Sequence, residues 1–448
     1  MFLVKYIKIL LIVLIFFPFR SIAEDSPIDV SGSIQTGYKL YDNYSFAPYF
    51  DKDIAQDFSS VARIIIELNS HNKYSYELHA VQAYNYSNVY TGVTGRDTSM
   101  LFVDLDDNWT EKTDTDQAAY YYLDRANIKF AAQDLDIHFG RLAVSFGKPT
   151  FWNLFDYYGE PYLNQEYKAG IDALRLDKAI SNFSGVNMVI NKQKILTQSG
   201  SYLENNAVQS YQRVGLKKEV GLLLRGYTTV KDTDYALLYK REPEGHRIGI
   251  EVDGEIGSVN FYDEITYLWG SEKISMPGSY QGNLLKNYLM NVLGVNYRFN
   301  NSLQITAEHL FNGIGDSNNL DASNIRYKNG VSTSLNDHLS GVSLSYEFNP
   351  LLVGRYDSKL AWEDSSQQHN FSFIRSITDN VDFIAGGQIN IGDRPNGSNW
   401  QNPNIQSEFG RLSNTFYLEL KFQNHPHQYI LISIPNIRLL RSVLWIRP

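Results

Sequence analysis

Leu303-Gln-Ile-Thr-Ala-Glu-His-Leu-Phe-Asn312 is the stretch that decides the fold. Leu303, Ile305, Ala307, His309 and Phe311 fall on one side of it, and Gln304, Thr306, Glu308 and Asn312 on the other. A side-chain period of two marks a β-strand, because successive side chains of an extended chain point to opposite faces. Segments of this kind, ended by Asn, Asp, Gly or Pro, recur down the chain. Past the N-terminus no apolar run is long enough for a membrane helix.

Working outward, alternation predicts strands over 30–41, 58–69, 74–86, 117–130, 135–146, 170–179, 184–190, 220–230, 234–240, 245–253, 258–269, 287–299, 303–311, 338–348, 352–362, 369–377, 381–391 and 410–422. That is about eighteen, an even number, with sixteen as the neighbouring solution. Short connections such as 70–72, 300–302, 349–351 and 378–380 trade places with long polar ones over 43–57, 87–116, 147–169, 191–219, 271–286, 313–337 and 392–409. Short turns at one end and long loops at the other belong to transmembrane barrels. A strand-like stretch at 208–217 would break this parity and is assigned to a loop.

The two faces separate by chemistry. One carries Ile64, Ile66 and Leu68; Ile248, Ile250 and Val252; Val342, Leu344, Tyr346 and Phe348; and Phe416, Leu418, Leu420 and Phe422. A sandwich core would look alike residue by residue, but its strands run to about five or six residues, whereas tilted spanning strands need about nine to eleven. The other face carries Arg63 and Glu67, Arg125 and Lys129, Arg175 and Asp177, Arg225, Arg247 and Glu251, Glu308, and Arg355, Asp357 and Lys359. Ionisable groups at that density do not fill a dry core. They fit a wet lumen, and both signs are present.

Composition agrees. The 448 residues include 32 Tyr and 24 Phe, yet mean hydropathy is −0.32, as expected where half of each strand meets water. A formal net charge of −9 removes the basic footprint of a nucleic-acid binder. No cysteine is present, so neither disulfides nor Cys-based metal or redox sites enter. No P-loop, dinucleotide or Gly-x-Ser-x-Gly fingerprint occurs; no catalytic residue, cofactor or metal is expected. His79, His138 and His309 are the histidines to watch should an activity appear. The acidic run Asp104-Leu-Asp-Asp-Asn108 lacks the bending Gly of an EF-hand and reads as a solvated loop.

Lys5 and Lys8 precede the apolar 9–17 and the small-x-small site Ser21-Ile-Ala23, which predicts a signal peptide over 1–23 and a barrel over 24–423. Thr415-Phe-Tyr-Leu-Glu-Leu-Lys-Phe422 has the form of a closing strand. The basic, aperiodic 424–448 breaks from the preceding pattern and is expected to be disordered or a frameshift or read-through product.

The stretch His138-Phe-Gly-Arg-Leu-Ala-Val-Ser-Phe-Gly-Lys-Pro-Thr-Phe-Trp-Asn-Leu-Phe-Asp156, followed by Gly170-Ile-Asp-Ala-Leu-Arg-Leu-Asp177, resembles a region of porin-like outer-membrane proteins of proteobacteria. Leu154 stands where Pro is common in that pattern. The resemblance implies a channel in a Gram-negative outer membrane and brings no catalytic residues. A loop over 147–169 that folds into the pore would add Arg141, Lys148, Asp156 and Asp172 to the constriction.

The sequence thus leads to an all-β antiparallel transmembrane barrel for passive diffusion of small polar solutes or ions. Its expected partners are membrane lipid and lipopolysaccharide, the barrel insertion machinery acting on the closing strand, and the solutes themselves, with the protein a monomer or homotrimer. The alternatives are a barrel that mounts an enzyme or adhesin, and a secreted soluble β-protein.

Overall fold

The computed structural model describes residues 28–42, 54–70, 74–88, 111–114, 117–155, 168, 170–193, 200–204, 207–211, 219–242, 245–270, 287–321, 323–324, 332, 334–396 and 404–424. The signal segment, the acidic run at 104–108 and all but the first residue of the 424–448 tail lie outside them.

Strands follow in the order β1 (Ile28–Asp42), β2 (Ile54–Ser70), β3 (Tyr74–Ser87), β4 (Glu111–Asp114), β5 (Gln117–Ala132), β6 (Leu135–Leu142), β7 (Ile171–Ser181), β8 (Ser184–Gln193), β9 (Gly200–Glu204), β10 (Ala207–Tyr211) and β11 (Glu219–Val230). The rest are β12 (Thr233–Glu242), β13 (Gly245–Ile256), β14 (Val259–Gly270), β15 (Tyr288–Arg298), β16 (Leu303–Asn312), β17 (His338–Asn349), β18 (Leu352–Ala361), β19 (Gln367–Thr378), β20 (Val381–Ile391) and β21 (Thr415–Asn424). β4 is a four-residue ribbon on β5, and β9 and β10 form a hairpin of their own. The remaining eighteen pair antiparallel in sequence order, and β1 closes the ring on β21. At that closure Ile34 stands opposite Phe422, and Gln35 Nε2 donates to Glu419 Oε2 at 2.8 Å. A closed ring leaves no strand edge open to association.

Every strand expected from alternation is present; of the 208–217 stretch the described residues 208–211 lie in β10, which pairs with β9 and not with the barrel. Two boundaries move for a physical reason. β6 stops at Leu142 and not at 146, because the chain there leaves the wall and turns inward. β21 starts at Thr415 and not at 410, because Glu408 to Leu412 are engaged in a cap described below.

The faces sort as their chemistry demands. Leu237 is 64 % exposed and Ile250 51 %, whereas inward Glu251 is 3 % and Glu264 is 0 %. An apolar band of this extent around a whole molecule marks contact with lipid. Aromatic rings gather at both ends of the band. Tyr74 meets Phe130, Tyr297 meets Phe299 and Tyr346 meets Phe348 near the short turns, while His246 stacks between Tyr239 and Trp269 near the long connections.

Candidate functional site

Two lumen carboxylates hold a strand of loop inside the ring. β14 presents Glu264 inward and β16 presents Glu308, both almost wholly buried. Glu264 Oε1 accepts from the Lys148 amide at 3.0 Å and Oε2 from the Leu154 amide at 2.9 Å. Glu308 accepts from the Thr150 amide, from the Phe151 amide at 2.9 Å and from the Tyr262 hydroxyl at 2.5 Å. Glu264 is the register partner of Glu251, a like charge that would repel it. Each has its own donors: the loop amides serve Glu264, and Arg225 lies 3.0 Å from Glu251.

The wall is shaped to receive this segment. Gly147 enters at φ 85°, and a Cβ there would strike Asn153 and Glu264. A Cβ on Gly341 would lie 2.7 Å from the Phe151 ring, and one on Gly249 2.7 Å from Phe155. Around the segment the interior is dry: Trp152 and Leu154 pack with Leu268, Met290, Leu310 and Leu339, while Phe146 and Phe155 pack with Val189, Leu223 and Leu238. Leu310 sits on the otherwise polar face of the 303–312 strand, and it is this cover that buries it.

A second layer closes over the first. Glu408, between β20 and β21, accepts from the amides of Leu335 at 2.6 Å and Asn336 at 3.0 Å. Asp364 accepts from Asn336 Nδ2 at 2.7 Å and from the Glu408 amide at 2.6 Å, so three connections interlock above Phe409 and Ile314. Burial pushes the Glu408 carboxyl above the ordinary carboxylate range, with Arg411 and the two amides opposing.

The charged residues expected to line a pore are mostly spent in pairs. Arg63 meets Asp124 at 2.5 Å, Arg125 meets Glu77 at 3.2 Å, and Lys129 meets Asp136 at 2.7 Å. Arg175 meets Asp177 at 2.8 Å, Arg355 meets Asp357 at 2.9 Å, and Lys148 meets Asp253 at 2.8 Å. Arg247 donates to Tyr288 Oη at 3.0 Å. Arg175 and Arg225 each stand 5.4 Å from the centre of the Phe146 ring, and Lys359 5.5 Å from that of Phe151. Several keep a wet side: the Lys148 side chain is 46 % exposed and Arg175 24 %.

Arg141 and Asp172 are placed differently. They pair at 3.0 Å in register with Ala126 and Leu78, whose row faces outward, and Arg141 Nη1 also donates to the Leu123 carbonyl. The pair seals the irregularity where β5 bulges at Asp124, and so belongs to the wall more than to the lumen lining. Asp156 lies outside the described residues.

Sequence reasoning missed Glu264 as an anchor, along with Tyr262, Glu408 and Asp364. The available signal was apolar residues on the wrong face, such as Leu268, Met290 and Leu310, all near the long-connection ends of their strands.

No protein-family profile matches the sequence, and no curated protein matches it. Solved structures do. Acinetobacter baumannii OccAB3 aligns at a TM-score of 0.52 and 12 % identity over 89 % of this chain and 99 % of its own. OccAB2 of the same organism gives 0.53 and 9 % over 89 % and 98 %, and Pseudomonas aeruginosa OccK11 (OpdR) gives 0.51 and 10 % over 88 % and 95 %. At such identities the likeness is one of fold. A closed eighteen-strand ring, apolar outside and charged within, and these neighbours together give the chain the fold of a porin-like outer-membrane β-barrel.

Proposed function

We propose that the chain is a passive outer-membrane channel through which small polar solutes or ions diffuse. The observation that carries this is an eighteen-strand ring whose interior charges keep water-exposed surface. About eight strands close on their own side chains, whereas sixteen to eighteen leave an aqueous space. The inward segment 147–155 narrows that space without filling the positions of Arg175, Arg225 and Lys359, whose charges are the selecting groups in this reading. Paired charges of both signs make the lumen polar without a strong bias of its own, and the mechanism needs no energy input.

The chain is exported by its N-terminal segment and sits with the long connections outside the cell, against lipopolysaccharide, and the short turns in the periplasm. The closing strand β21 is the element on which the insertion machinery acts. The rival is a barrel that serves only as a mount for an enzyme or adhesin. Conductance of the pure, full chain in planar bilayers, with a panel of organic ions and sugars, separates the two. Stepwise currents support the channel, and their absence from a correctly folded barrel refutes it.

A further inference from the structure

Glu67 and Glu77 are direct register partners on the inward faces of β2 and β3, near the short-turn end of the lumen. Like charges in opposed positions destabilise a sheet unless something lies between them. His79, two residues along the same face of β3, completes a group whose ligand atoms all lie within 4.8 Å of one another.

Two features separate this group from the other interior ion pairs. His79 is 4 % exposed, and its Nε2 stands 2.9 Å from Glu77 Oε1 but off the line that a hydrogen bond requires. Because Nδ1 accepts from Arg63, Nε2 carries the ring proton in the ion-free protein, and a metal at Nε2 would take that proton's place beside the carboxylate. The Glu67 side chain takes no hydrogen bond or ion pair among the described residues, while Arg125 and Asn127 serve Glu77 and Arg63 serves Asp124. Among those residues Glu67 thus has no hydrogen bond of its own and feels His79 and Arg125 only through space.

We propose that Glu67, Glu77 and His79 bind a first-row divalent transition-metal ion at the periplasmic end of the lumen. One imidazole and two carboxylates suit zinc, copper or nickel, whereas calcium needs six to eight oxygens and magnesium a regular octahedron of them. Three protein ligands leave a coordination position for water or a passing solute. Arg63 Nη1 lies 3.3 Å from His79 Nδ1, and a metal on Nε2 places the ring proton on Nδ1. Binding therefore turns Arg63 wholly to Asp124, its 2.5 Å partner. Arg125 beside Glu77 weakens the hold on any cation, which favours ions that bond strongly to nitrogen over hard ones. No spacing in the sequence announces the site, since Glu67 joins the other two only through strand register.

The test is zinc chloride titrated into the tag-free full chain in detergent, in competition with a chromogenic chelator. One ion per barrel is expected, undisturbed by excess magnesium. His79→Ala abolishes it, and Glu67→Gln, an exposed change that spares the fold, weakens it tenfold or more. No zinc held by the wild type, or equal binding in the Glu67→Gln variant, overturns the proposal. Binding is read without conduction, so a barrel that passes no current leaves this result standing.

Discussion

The Phe151 amide donates to Glu308 Oε2 at 2.9 Å, from a loop to the facing lumen wall 157 residues away. The side chains that narrow the ring are therefore set by a bond that ignores what the loop residue is. Bonds to a charged acceptor contribute about 1.5–3 kcal/mol each, and Glu308 and Glu264 between them take four amides of one short segment. Replacing both with Ala is expected to release the segment, raising single-channel conductance and current noise while circular dichroism still reports the full strand content. Wild-type conductance in that variant would mean that the segment restricts nothing.

Gly341 is where the Phe151 ring rests, with 2.7 Å left for a Cβ. Gly341→Leu is expected to expel the ring and open the channel as the carboxylate variant does. Adding Phe151→Ala to it removes the clash. The two changes should then be non-additive by about 1 kcal/mol or more in a double-mutant cycle on thermal stability.

The outward face is a prediction in itself. Ile250 lies at the middle of β13 and is 51 % exposed to the surroundings of the barrel. Ile250→Arg is expected to cost about 2–4 kcal/mol on refolding into bilayers. Gln35→Arg, on the inward face beside Glu419, should cost little. Equal costs would deny the ring a lipid-facing side.

Glu408 gives the cap a pH dependence of known sign. Its carboxyl is raised in the folded protein by burial, so the folded state holds the proton more tightly than the unfolded chain does. Its contribution to stability is most favourable below the ordinary glutamate range and is lost as pH rises through the raised folded value. Relative to Glu408→Gln, the wild type is expected to gain protease resistance in 392–414 as pH falls from 7 to about 4. A difference that shrinks or stays flat would contradict this.

Much of the ring was legible because its signal is local. Ile248, Ile250 and Val252 alternate with Arg247, Gly249 and Glu251 whatever the neighbouring strands do. The inward segment was legible only as an expectation from Trp152, Asn153 and the glycine before them. Its seats were not, because Glu264 looks like any lumen carboxylate and its partners are backbone amides, which leave no trace in a sequence. Arg141 and Asp172 were assigned to the constriction together with the inward loop, whereas register places them in the row of Ala126 and Leu78. The bulge at Asp124 and the φ of 119° at Gly140 shape the wall where that pair sits, and neither is written in the residue types alone.

The seam between β1 and β21 sets the order of assembly. Gln35 and Glu419 lie 384 residues apart in the chain, and Asn414 bonds Asp42 across nearly the same span. Neither terminal strand has its second neighbour until the whole polypeptide has been delivered, so every partial sheet carries two raw rims of unpaired amides and carbonyls. Contacts of such high sequence separation make maturation slow. A polypeptide truncated before Thr415 would remain an open sheet, prone to zip onto its own kind.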